Sequence, residues 1–151
     1  MSGKSLMVAL RGGLSFLLGG VLMAAAWAKI SDFGSFTHYL AYVRGIPGWL
    51  GAAAAVTIPS IEIALAAVLL CGAQKRVHLI ALCSLMAVFL VYQILAAVPS
   101  LELAPAPCPC MGKLDPGSTW EWLVARGVLL FGLSLWRLRL ERLQAPVGVQ
   151  T

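Results

Sequence analysis

Cys108 and Cys110 lie two residues apart around Pro109, in the segment PAPCPCMGKLDPG. An extended chain holds such α-carbons roughly 6.6–7.2 Å apart. Disulfides usually span about 4.4–6.8 Å, and Pro109 biases Cys108 further towards extended backbone. A bond between the two therefore needs a contracted, strained turn. Strained disulfides are easier to reduce and are more often exchange-active than structural, so the spacing favours thiol–disulfide chemistry over a staple. Two other readings stand beside it. A C-x-C pair suits a soft metal such as Cu(I), and the pair can be purely structural. Cys71 and Cys83 fall where the second apolar run ends and the third begins, on the side away from Cys108 and Cys110, and read as small packing residues.

The second set with chemical potential is charged. Glu62, Arg11 and Arg126 sit inside long apolar stretches, where ionisable groups are costly and usually face the interior of a helix bundle. Pro59, one turn before Glu62, frees a backbone carbonyl and favours a kink. The expected partner of Glu62 is Arg11, with Arg126 as the competitor. Such a pair either fixes helix packing or forms a polar pocket for a quinone-like head group or a proton path. Arg126 has a further option, snorkelling outward beside Glu121.

The elements that position these groups follow from composition. The chain has 151 residues, 60% hydrophobic and 11% charged, with a mean hydropathy of +0.90. Soluble domains carry about 25% charge, so this chain has too little polar surface to cover a soluble globule. The net charge of +5 does not point to nucleic acid, because the basic residues cluster at the ends of apolar runs. A spanning helix needs about 20 mostly apolar residues, and four runs qualify, at about 7–28, 49–71, 78–98 and 120–138. The last is the weakest, since it contains Glu121 and Arg126. The expected fold is an all-α, four-helix membrane bundle over residues 1–143, with a flexible tail over 144–151.

Basic residues set the expected orientation. Lys4, Arg11, Lys75, Arg76, Arg137, Arg139 and Arg142 share one side if the chain crosses four times, while Lys29, Arg44 and Lys113 occupy the other. The richer side is assigned to the cytoplasm of a bacterial inner membrane, with both termini there. Trp49 and Trp120 then fall at the outer interface and Trp136 at the inner one. The loop with Cys108 and Cys110 becomes extracytoplasmic, where disulfides persist. Residues 1–28 also resemble a signal peptide ending in Ala26-Trp27-Ala28. The run exceeds a typical signal core, and Gly20, Ala24 and Ala28 form a small-residue stripe suited to helix packing. In the first outer loop, Ser31 or Asp32 is placed to cap a short helix. Its apolar face of Phe33, Phe36, Leu40 and Val43, flanked by Tyr39, is expected to lie on the membrane surface.

Four elements in order resemble the MauE-like membrane proteins of methylamine utilisation, relatives of the DoxX group. They are Arg11 with Gly12 to Gly20, the segment AWAKISDFGSF, the segment IPSIEIALAAVLL with Pro59 and Glu62, and CPCMG before the last helix. The resemblance spans roughly Arg11 to Arg137. That family often shows C-G-C-F-G. Here Pro109 replaces the glycine and Met111 the aromatic, while both thiols and Gly112 are kept. The resemblance implies a membrane thiol–disulfide oxidoreductase or helper that matures an extracytoplasmic partner. The partner would be a thioredoxin-like protein or a disulfide-containing client such as the methylamine dehydrogenase small subunit. Similar bundles elsewhere pass electrons from thiols to quinone, so quinone is one candidate acceptor, and the residues leave the cofactor open. A non-catalytic DoxX-like subunit of a respiratory complex, or a soft-metal carrier, is the alternative.

Overall fold

A computed structural model describes residues 3–41, 47–73, 75–98 and 119–142. Every regular element among them is helical: α1 (Gly3–Ser31), α2 (Phe33–Ala41), α3 (Gly48–Leu70), α4 (Arg76–Ala96) and α5 (Trp120–Arg142). Three helical segments, Ser5–Ser31, Gly48–Leu70 and Arg76–Leu95, are long and apolar enough to cross a membrane. They mark the chain as a multi-pass membrane protein. At 1.5 Å per residue α5 is also of spanning length, but it carries Glu121, Arg126, Arg137, Arg139 and Glu141. Large apolar side chains such as Phe16, Trp27, Trp49, Val88 and Leu129 are exposed, as expected of surfaces that meet lipid tails.

Local chemistry explains the boundaries. The Pro47 carbonyl accepts the N–H groups of Leu50 and Gly51 at 2.9 and 3.1 Å, opening α3 one residue after a proline that could not donate. Gly72, at φ +70°, supplies the left-handed residue that ends α3. His78 Nδ1 accepts the Lys75 backbone N–H at 3.2 Å, closing the first turn of α4. Thr119 Oγ1 accepts the Trp122 N–H at 3.4 Å, the N-cap role of a threonine. Pro59 lies inside α3 and is buried.

The helices form two groups. One is α1 with α2 and α3; the other is α4 with α5. In the first, residues 19 and 70, 29 and 62, and 40 and 51 lie against one another, so α1 and α2 together run antiparallel to α3 in one register. Asp32 interrupts them only slightly: its N–H reaches the Ala28 carbonyl and its carbonyl accepts the Phe36 N–H at 3.1 Å. The short helix forms where expected, after Asp32, but its apolar face packs inward. Phe36, Tyr39, Leu40 and Ala55 form a buried cluster packed by Ile58 and Tyr92, and Phe33 is exposed. The reason is register. α2 continues alongside the first half of α3, so that face meets a helix. Val43 lies outside the described residues.

Of the expected stripe, Ala28 is buried and Ala24 half-buried, but the tightest glycine contact of α1 with α3 falls at Gly19 and not at Gly20. Gly20 is exposed and a Cβ there would meet nothing within 4 Å, whereas a Cβ on Gly19 would press into Leu70 and the Ala66 carbonyl. At Gly51 a Cβ would sit 3.3 Å from the Leu40 carbonyl oxygen. A Gly51→Val variant should therefore separate α2 from α3 and destabilise the fold by about 1–3 kcal/mol through overpacking. Thermal unfolding in detergent measures this, and an unchanged melting temperature would refute the contact. The main core gathers Leu18, Leu22, Leu65, Leu69, Leu79, Leu82 and Met86 from α1, α3 and α4.

Candidate functional site: a buried ion pair beside an apolar cavity

Glu62 is found where α3 passes the end of α1, and its partner is Lys29. The ammonium donates to both carboxylate oxygens, at 2.8 and 2.9 Å. The lysine is 3% exposed and the glutamate 1%, so both charges are removed from solvent. Among the described residues the third ammonium hydrogen has only the Ala25 carbonyl, at 3.4 Å. Two aromatic rings flank the nitrogen, with centroids 5.9 Å away for Phe36 and 5.8 Å for Phe89. At that distance a ring face attracts a cation.

Beside the pair lies a cavity of about 320 Å³ between the two helix groups, lined almost wholly by apolar side chains. Its polar residues are Lys29, Glu62, Tyr39, Tyr92, Gln93 and Arg126. The Tyr39 and Tyr92 hydroxyls share a hydrogen bond of 2.7 Å. Gln93 is buried, and its Oε1 has no hydrogen-bond partner among the described residues. Its amide packs on Gly127, where a Cβ would collide with it. Few polar groups converging on an apolar hollow of this size is the usual form of a small-molecule site.

A second polar cluster ties α1 to α5 at their far ends. Glu141 accepts from Arg11 and, at 3.0 Å, from Arg137. Arg137 is itself buried and donates through Nε to Ser15 Oγ at 3.0 Å.

Residues 5–140 match the family described as methylamine utilisation protein MauE. The chain belongs to the MauE family. No curated protein and no solved structure matches it.

Within this MauE-family chain the expected Arg11–Glu62 pair is not formed. Arg11 lies 18 residues before Lys29 on the same helix, about 27 Å along its axis, far beyond the reach of one side chain. The expectation aligned the centres of two helices, but α1 is 29 residues long and extends past the end of α3. Arg126, the expected competitor, does reach the cavity wall. Lys29, which the run boundaries place just beyond the first apolar run, occupies the last turn of α1 and is buried. Its signal was phase: Leu18, Leu22 and Ala26 are buried at intervals of four, and Lys29 continues that stripe. Arg137 and Glu141, one turn apart, form a pair that the run of apolar residues around them does not advertise. Of the other cysteines, Cys83 is buried and Cys71 exposed. Cys108, Pro109, Cys110 and Gly112 lie outside the described residues.

Proposed function

We propose that this protein is a membrane-embedded accessory factor of methylamine utilisation that acts as a thiol–disulfide helper. The match to the MauE family across residues 5–140 carries the reading. In it, Cys108 and Cys110 form an extracytoplasmic redox pair. They exchange with a thioredoxin-like protein or with a disulfide-containing client, for which the methylamine dehydrogenase small subunit is the natural candidate. Exchange proceeds through a mixed disulfide: a client thiolate attacks the Cys108–Cys110 disulfide, and the client's second thiolate then displaces the bound cysteine, leaving the client oxidised and the pair reduced.

The reading requires four crossings of the bacterial inner membrane with both termini in the cytoplasm, α5 being the fourth. Two observations support α5 as a span. It is 23 residues long, and two of its charges are engaged within the bundle, Arg137 with Ser15 and Glu141, and Glu141 with Arg11. The excess of basic residues near the α1 start, the α3–α4 turn and the α5 end supports the orientation.

Intact cells treated with a membrane-impermeant maleimide should be labelled at Cys108 and Cys110, and at neither Cys71 nor Cys83. Labelling should rise after mild reductant. Protection of Cys108 and Cys110 until the cells are lysed would overturn the topology and the redox role with it.

A further inference from the structure

The cavity beside Lys29 and Glu62 invites a ligand of definite chemistry. Its walls are apolar, so the body of the ligand is apolar. Among the described residues, one hydrogen of the Lys29 ammonium is held only by a 3.4 Å contact to Ala25, a donor that can turn to a better acceptor. Gln93, which also lines the cavity, carries a carbonyl oxygen with no partner among the described residues, an acceptor suited to a hydroxyl. Phe36, Phe89, Tyr39 and Tyr92 add flat aromatic surface. One donor, one acceptor and aromatic walls, in a protein with three helices long and apolar enough to cross a membrane, describe a lipid-soluble ring whose oxygens alternate between carbonyl and hydroxyl.

We infer that this cavity binds the head group of a membrane quinone, with Lys29 donating to a carbonyl oxygen of the oxidised form and Gln93 accepting from a hydroxyl of the reduced form. Glu62 holds the ammonium in place from its other side. The inference deepens the redox reading above by naming the electron acceptor. Oxidation of two thiols to a disulfide releases two electrons and two protons, and a quinone takes up both to become a hydroquinone. Lys29 and Gln93 are positioning residues in that scheme, since they bind the ring without exchanging electrons.

The test uses the purified full-length protein in lipid nanodiscs and a photoreactive azidoquinone with a short isoprenoid tail. Labelling should map to peptides of α1, α3 and α4 and be competed by excess unlabelled short-chain quinone. Ala54→Phe, which fills the cavity without touching the ion pair, should abolish the competed labelling. Lys29→Met combined with Glu62→Leu removes the donor without stranding a charge. It should raise the half-saturating quinone concentration by about tenfold, the value of one charge-assisted hydrogen bond. Labelling that is not competed, or that survives both variants unchanged, overturns the inference. A Cys108→Ser/Cys110→Ser protein should still bind the probe. Binding without thiol function refutes the redox reading alone, and thiol function without competed binding refutes the quinone site alone.

Discussion

Lys29→Met is expected to destabilise the folded protein by about 3–5 kcal/mol, the typical cost of removing one partner of a buried ion pair. The glutamate left behind is 1% exposed, with both oxygens deprived of the donor they share. The effect should far exceed that of Arg11→Met. Arg11 and Glu141 are partly exposed, and Glu141 keeps Arg137 as a second donor. Partly exposed pairs are worth about 1 kcal/mol or less. The decisive measurement is a double-mutant cycle. Lys29→Met with Glu62→Leu should recover most of the stability lost in either single variant, because an apolar replacement of both charges removes the desolvation penalty along with the attraction. Unfolding by denaturing detergent, followed by helical circular dichroism, reads the midpoints. Additive losses in the double variant would show that the two side chains are not a coupled unit.

The second large effect concerns function. A Cys108→Ser/Cys110→Ser protein should insert and fold like the parent, yet client disulfide formation should fall by at least about tenfold, since the exchanging thiolates themselves are gone. A gel-shift assay of client thiols in cells lacking the chromosomal copy gives the readout. Each single variant should accumulate a mixed disulfide with its partner or lose exchange. Client disulfides forming at the normal rate in the double variant would refute the catalytic role and leave a structural subunit as the reading.

Much of the architecture is visible in the sequence because lipid demands long apolar runs and closed backbone hydrogen bonding. The helix starts near Trp49, Val77 and Trp120, and the short helix after Asp32, follow from runs, caps and prolines. What escaped was relative axial position. A sequence run gives length, but the level at which one helix meets another depends on side-chain packing, here Gly19 on Leu70 and Gly51 on Leu40. An offset of several turns decides whether Arg11 or Lys29 faces Glu62. A charge at the end of an apolar run also reads naturally as a flank, which hid Lys29. The buried phase through Leu18, Leu22 and Ala26 was the signal that outweighed that convention. The cavity had no sequence signature at all, because a void is a property of two helix groups that do not fully fill the space between them.

The placement of Lys29 and Glu62 within one helix group has a consequence for how the protein is made. Chains emerge from the N-terminus, and early segments organise first. Both charges belong to α1 and α3, so each meets its counter-ion within one helical hairpin, and that hairpin carries its most buried charges as a neutral couple. The Arg137–Ser15 and Arg11–Glu141 contacts, by contrast, exist only once α5 has arrived. They act as a latch that closes late. The cavity walls come from both groups, so the newborn protein has no such hollow until α4 and α5 have joined the first three helices.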